Sequence, residues 1–218
     1  MFQRDYLVRL IEEMTNVLGK AMGLRQDNKL IEAESEIDEL LQRKFRLRGP
    51  LLQSLSAEDL IKMFTFNGVL ESDRLQGVAL LMKQQAMIEE SRQDPGKAVQ
   101  LRTKALHLLA YASTQGYPVK WVKTSEEIRG LEAELQGVYL SDTLHRLLWE
   151  HYASNGSYAK AEDHLFHLYH RDPEILLEGI AFYNRLLEQT DEDLEEGGLP
   201  REEVLQGLAQ LQGEGRLK

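Results

Sequence analysis

The sequence predicts an all-α protein, and three observations lead to that prediction. Apolar residues recur at the spacing of a helical face along most of the chain. Only 5 prolines and 16 glycines occur among 218 residues, and one short stretch alone has strand character. We expect antiparallel helical hairpins, stacked either as a right-handed superhelix of degenerate repeats or as a compact helical array.

The first predicted hairpin consists of two amphipathic helices. Between Phe2 and Leu24 the apolar residues fall on one broad face. Asp27 or Asn28 is a suitable N-cap for a second helix, which we expect to end before Gly49–Pro50. The short connection predicts that the two helices are neighbours.

A second hairpin is predicted in the middle of the chain. Ser56, followed by acidic residues, caps a short helix that stops near Asn67–Gly68. A longer helix runs from about residue 72 to residue 92. Asp94–Gly96 starts the next helix, which ends at Gly116–Pro118.

The last third of the chain contains the stretch with strand character and several further helices. That stretch, Val119–Thr124, is short, and we do not expect it to form a paired strand. Its Trp121 is either a packing anchor between helical layers or an anchor for a partner, and packing is favoured.

Ser125 and Ser141 each begin a helix. Helices are also predicted at residues 158–170, 173–189 and 200–212, which gives nine or ten in all.

The clearest motif of the chain covers residues 145–173 and predicts a helical hairpin. Gly156 permits a tight turn, and Ala161 lets two helices approach closely. Tyr158 and Leu165 fill the groove between those helices. The region 119–218 is therefore predicted to hold the best hairpin, and residues 1–118 to hold degenerate ones, within one continuous helical domain.

This motif resembles a tetratricopeptide repeat. The residues that match the spacing of that repeat are Leu148, Tyr152, Gly156, Tyr158, Ala161, Leu165 and Pro173. Trp149 stands where the family usually has glycine or alanine, and Leu168 replaces a usual alanine, so we expect wider helix packing. A further unit is expected after Pro173, with its hairpin loop lengthened by residues 190–199.

The chain as a whole resembles a second family, of cytoplasmic helical proteins from Gram-positive bacteria. The opening segment, Arg-Asp-Tyr-Leu-Val-Arg-Leu-Ile-Glu-Glu at residues 4–13, carries that resemblance. Because that family has no assigned activity, the resemblance supports the helical fold and implies no site.

Charge and composition exclude several classes of function. The 36 acidic and 26 basic residues give a formal net charge of -10, which argues against nucleic-acid binding. The absence of cysteine excludes disulfides and thiolate chemistry and suits a reducing compartment. Charges near the N-terminus do not fit a signal peptide, and no apolar window approaches the ~18 residues of a membrane span. We expect a cytoplasmic protein without a transmembrane segment.

Five of the six histidines lie between residues 145 and 170, a clustering that makes a metal site one interpretation. His164 and His167 could share a helix face, but His170 lies about 120° away from His164 around the helix. A metal site needs three or four converging ligands. We therefore expect surface or groove-lining histidines, with no metal and no cofactor.

Two clusters of like charge have structural explanations. Arg43, Lys44, Arg46 and Arg48 follow an acidic helix, where cations complement the helix dipole, and phosphate binding is the weaker alternative. The acidic residues at 188–196 lack the ligand offsets and central glycine of a calcium loop, so we expect a solvated loop.

Candidate partner-binding residues follow from the tetratricopeptide resemblance. In that family, ligands usually contact the concave face formed by the first helix of each repeat. By position, the resemblance places Thr143, Arg146, Glu150, Ala153 and Ser154 on that face. Arg146 could bind a carboxylate. Glu150 stands where chaperone-tail-binding members have asparagine, so a carboxylate clamp is not expected.

Our leading functional hypothesis is a non-enzymatic protein–protein interaction or scaffold module that offers a helical groove to a protein or peptide. No phosphate loop, nucleophile elbow or kinase motif occurs, and no catalytic set can be assembled from the sequence. The alternative is a cytoplasmic regulator that senses a ligand or peptide in a pocket between hairpins. A deep apolar pocket favours the regulator, and an open groove favours the interaction module. A homodimer through the N-terminal helix is a further expectation.

Overall fold

The computed structural model describes residues 2–115 and 122–215. Within these ranges the predicted all-α class is confirmed, with twelve α-helices and one two-stranded hairpin. The helices are α1 Phe2–Gln26, α2 Leu30–Leu40, α3 Gly49–Ser54, α4 Ala57–Met63, α5 Ser72–Ser91, α6 Pro95–Thr114, α7 Thr124–Glu134, α8 Asp142–Ser154, α9 Tyr158–Tyr169, α10 Leu176–Leu187, α11 Asp191–Glu196 and α12 Arg201–Gly215. None of the helices in the described ranges is long and apolar enough to cross a membrane.

The chain divides into two compact units, residues 1–139 and residues 140–218. The boundary expected at residue 118 and the candidate Trp121 both lie outside the described residues. Val122 and Lys123, which belonged to the stretch with strand character, precede α7 and form no strand.

The first unit is built around the paired long helices α5 and α6. Helix α5 is buried on most of its circumference, which explains why its sequence lacks a clear polar face. Gly77 of α5 permits a close approach of α1, because a Cβ atom there would lie 2.8 Å from Sδ of Met14. Met14 is fully buried, so α1 contributes directly to this core.

The start of α2 differs from the prediction, and its end agrees with it. Asn28 has a positive φ of 60°, and Lys29, which precedes α2, makes no side-chain cap, so neither Asp27 nor Asn28 is the N-cap. The helical segment ends before Gly49–Pro50, as predicted, and this dipeptide begins the short helix α3. Helix α2 continues as a π-helical turn, Leu41–Phe45, which ends at Arg46 in a left-handed conformation. The proline suits the first turn of α3, where an amide donor is not needed.

A small β-hairpin follows α4, at a point where only a helix end was predicted. Strands β1 Thr65–Phe66 and β2 Val69–Leu70 pair antiparallel, with Phe66 opposite Val69. Asn67 and Gly68 both have positive φ, as a type I′ turn requires. The Asn-Gly dipeptide is the sequence signal for this turn, but two-residue strands are too short to show an alternating pattern.

The second unit contains two successive helix pairs. Helices α8 and α9 pair through a tight turn at Gly156, whose φ of +72° explains the glycine. Helix α10 follows a 3-10 turn at Pro173–Ile175 and pairs with α12. Ala161 and Leu165 of α9 are fully buried, as the motif predicted.

The acidic stretch between α10 and α12 is helical, so the prediction of a loop at residues 188–196 was wrong. Helix α11 is capped by Thr190, whose side chain accepts a hydrogen bond from the amide of Asp193. The three acidic residues in its first turn stabilise the helix, because their negative charge interacts favourably with the positive end of the helix dipole. Leu194 is fully buried and fixes the helix to the unit.

Candidate functional site

The predicted partner-binding residues of α8 form one outward-facing stripe. Thr143, Arg146, Glu150 and Ser154 are three or four positions apart, so successive members lie on the same side of the helix. The opposite side supplies the buried residues Leu144, Leu148, Trp149 and Tyr152. The structure therefore brings these four of the five predicted residues of α8 onto a single accessible face, and the fifth, Ala153, is half-buried.

Arg146 is bound within the unit by Glu178 of α10. Its two terminal nitrogens donate to the two carboxylate oxygens at 2.7 and 3.2 Å. The hydrogen bond to Glu178 raises the pKa of Arg146. The two side chains are 38% and 51% exposed, so the pair contributes at most about 1 kcal/mol. This guanidinium, which the sequence offered to a partner carboxylate, already has one.

A cleft of about 240 Å³ lies beside this ion pair. It is lined by Asp142, Thr143, Arg146, Leu168, Asp172 and Ile175. Leu168 and Ile175 are almost completely buried and form an apolar floor. The start of α8, the end of α9 and the 3-10 turn together build this cleft, which we call the α8–α9 groove.

The rim of the α8–α9 groove is predominantly acidic. Arg171 donates to Asp142 at 3.3 Å, and the amide of Glu174 donates to Asp172 at 2.9 Å. Asp172 lines the groove, and Glu174 adjoins the lining residue Ile175. Among the described residues, neither carboxylate forms an ion pair, and both side chains are exposed. Asp172 is close enough to Arg146 to contribute, after Glu178, to the raised pKa of that guanidinium.

Ser154 is the predicted residue that the structure least supports as a contact. Its hydroxyl donates to the backbone carbonyl of Glu150, one helical turn earlier. This is the common local bond of serine within a helix. Glu150 is exposed and near enough to Arg146 to interact with its charge, whereas the hydroxyl hydrogen of Ser154 is used within the helix.

A histidine cluster lies between α8 and α9, and the sequence reasoning did not assemble it. Nδ1 of His145 and Nδ1 of His164 are 2.9 Å apart, and the rings of His145 and His167 stack at 3.6 Å between centroids. His164 is buried and also stacks on Tyr152. The spacing of histidines within α9 does not reveal this cluster, because His145 comes from the facing helix α8.

Protonation of His145 and His167 is unfavourable in the folded chain. Burial, followed by the neighbouring His167 and His164, lowers the pKa of His145 to about 4. Burial and Arg171 also lower the pKa of His167. Within the described ranges, no group of three or more histidine, aspartate or glutamate residues is arranged to hold a metal ion. His145 and His167 therefore pack against each other as neutral rings near pH 7.

The basic cluster of the first unit is divided between paired and unpaired side chains. Arg43 and Lys44 donate to Glu13 of α1 at 3.0 and 2.6 Å. Arg46 and Arg48 are exposed and have no ion pair among the described residues. The paired members lie in the last turn of the π-helical segment, where cations complement the helix dipole.

Comparison with known proteins identifies one family. A family model described as a family of unknown function (DUF6483) matches residues 1–215. The chain matches neither a curated protein nor a solved structure.

Proposed function

The chain belongs to this family of unknown function, DUF6483, and we propose that it is a non-enzymatic protein-interaction module that binds a partner polypeptide at the α8–α9 groove. The observation that carries the proposal is the open cleft, with its apolar floor and polar rim, on the face predicted for binding. We place this function in the cytoplasm, since a chain without cysteine suits a reducing compartment.

The order of helices in residues 140–218 supports this proposal. Two successive helix pairs, α8 with α9 and α10 with α12, follow each other as hairpins do in tetratricopeptide arrays. The Arg146–Glu178 ion pair joins the first helices of these two pairs. In the tetratricopeptide family, the side formed by the first helices usually receives the ligand, and Thr143 and Arg146 of α8 line the groove.

The dimensions of the groove favour a polypeptide over an enclosed small molecule. Its volume is about 240 Å³, whereas small-molecule sites usually measure about 300–1,000 Å³ and bury most of the ligand. Its charged members are also largely engaged with one another, as in Arg146–Glu178 and Arg171–Asp142. Side chains held in such ion pairs are better suited to binding a partner surface than to transferring protons in a catalytic reaction.

Site-specific photocrosslinking in the native cells tests the proposal. A benzophenone amino acid at Thr143 lies in the groove, and the same amino acid at Glu192 of α11 provides an exposed control. We expect the Thr143 probe to give a discrete adduct with a polypeptide and the Glu192 probe to give none. Equal adducts from both probes, or none from Thr143, would contradict the proposal.

A further inference from the structure

The two units carry very different charge. Residues 1–139 contain 20 acidic and 19 basic residues, a formal charge of −1. Residues 140–218 contain 16 acidic and 7 basic residues, a formal charge of −9. Almost all of the net charge of -10 therefore belongs to the unit that contains the groove.

The groove has the same sign of charge as the unit around it. Asp142, Asp172, Glu174 and Glu178 stand against only Arg146 and Arg171, and each of those two cations already contacts a carboxylate. The six groups together carry a formal charge of −2. The carboxylates without ion pairs, Asp172 and Glu174, lie next to the apolar floor.

Local structure explains why acidic residues stand at this place. Asp142, Glu174 and Glu178 lie in the first turns of α8, the 3-10 segment and α10, where a negative charge complements the helix dipole. Asp172 accepts the amide of Glu174 at the 3-10 turn, which uses one of its oxygens. The result is a groove beside which Asp172 and Glu174 keep their charge without an ion pair among the described residues.

We infer that the partner of the α8–α9 groove is a basic polypeptide segment. An apolar side chain of the segment would cover Leu168 and Ile175, and lysine or arginine side chains on either side of it would contact Asp172, Glu174 and Asp142. This inference rests on the proposed function and specifies the chemistry of its partner. The charge of the whole unit would accelerate encounter with such a segment and repel acidic ones.

Three labelled peptides test the charge preference directly. Each has twelve residues with leucines spaced along it, and the residues that flank the leucines are lysine, glutamate or serine. Fluorescence anisotropy against the full chain measures the Kd of each peptide. We expect the lysine peptide to bind at least about tenfold more tightly than the glutamate peptide at about 50 mM salt, and this difference to shrink as salt rises to about 200 mM.

A matched pair of variants locates the interaction. Asp172→Asn with Glu174→Gln removes two charges at the groove, and Glu192→Gln with Glu195→Gln removes two from the exposed surface of α11. We expect the groove variant to raise the Kd of the lysine peptide about fivefold and the α11 variant to change it less than about twofold. Circular dichroism verifies that both variants remain folded.

The possible outcomes separate this inference from the proposed function. Equal losses in the two variants would show a diffuse attraction and overturn the inference. Equal binding of all three peptides, or binding of none together with a Thr143 crosslink in cells, would also overturn it while the proposed function stands. Absence of both peptide binding and the crosslink would contradict both.

Discussion

Gly197 leaves no room for a side chain between α9 and the loop that follows α11. A Cβ atom there would lie 2.6 Å from the backbone oxygen of Gly156, and it would also meet the ring of Tyr158. The carbonyl of Gly197 accepts the amide of Ala159 at 3.1 Å, so the backbone cannot simply move away. The turn at Gly156 and the loop after α11 thus determine each other's position.

The substitution Gly197→Ala should therefore destabilise the second unit. We expect a loss of about 1–3 kcal/mol in the free energy of unfolding, because the contact is with backbone. Gly213→Ala is the matched control, since a Cβ at that position in α12 would meet nothing within 4 Å. There alanine should stabilise the helix by about 0.5–1 kcal/mol. Urea denaturation measures both, and a neutral Gly197→Ala would contradict the packing described.

His145 makes the stability of residues 140–218 depend on pH. Its pKa in the folded state is about 4, compared with 6.5 for an ordinary histidine. The unfolded chain therefore binds the proton first, and the stability contributed by the neutral ring is complete above about pH 6.5 and is lost as pH falls towards 4. His164, His167 and Arg171 disfavour the charged ring, whereas Asp142 favours it.

Replacement of His145 by glutamine should flatten this dependence. We expect the urea midpoint of the native chain to fall more steeply between pH 6.5 and pH 4 than that of His145→Gln. The difference should amount to about 1 kcal/mol once solvent screening of a half-exposed ring is considered. Parallel pH profiles for the two proteins would show that His145 titrates normally in the folded state.

At the scale of elements, α11 depends on its N-cap. Thr190 accepts the amide of Asp193 and also donates to the carboxylate of that residue at 2.6 Å. We expect Thr190→Ala to cost about 1 kcal/mol and to increase amide exchange within residues 191–196. Gln189→Ala, one position outside the cap, serves as control. Unchanged exchange in Thr190→Ala would mean that buried Leu194 alone holds the helix.

The elements also show which features a single sequence can predict. The long helix α5 and the start of α6 were predicted nearly to the residue, because helical spacing and the turn with a helix-start proline at Asp94–Gly96 agree. The short helix α4 was predicted from its Ser56 cap, but other short elements were missed. The β-hairpin has two residues per strand, and α3 has six residues. Helix α11 also has six residues, and five of them are acidic, so its sequence shows no apolar helical pattern. In such segments tertiary contacts decide the conformation, and no periodic pattern has room to appear.

The candidate site was predicted in part for a related reason. The tetratricopeptide resemblance predicted Thr143, Arg146 and Glu150 as one face of α8, and their spacing of three and four residues places them on the same side of the helix. The pairing of Arg146 with Glu178 and the contact of His145 with His164 join residues of different helices. Such contacts depend on how neighbouring helices are oriented and shifted, which one sequence without relatives does not specify.

For the molecule as a whole, the uneven charge predicts a stability that depends on salt. Like charges within residues 140–218 repel one another in the folded state. Asp163 lies exposed in the middle of α9, away from the helix ends. We expect Asp163→Lys to raise the thermal midpoint at low salt and to lose that advantage near 1 M salt, where the Debye length is about 3 Å. A gain that persists at high salt would have another cause.

The bond between His145 and His164 joins two identical chemical groups. In a neutral pair, one ring carries its proton on Nδ1 and donates it, while the other ring accepts at Nδ1 and carries its proton on Nε2. Exchange of the two roles moves both protons and leaves the heavy atoms in place. The hairpin therefore has two tautomeric arrangements of nearly equal geometry, which differ in the Nε2 atom that is left as a donor. Nitrogen chemical shifts of the two rings would show which arrangement is populated. They would therefore show whether α8 or α9 presents the Nε2 hydrogen-bond donor.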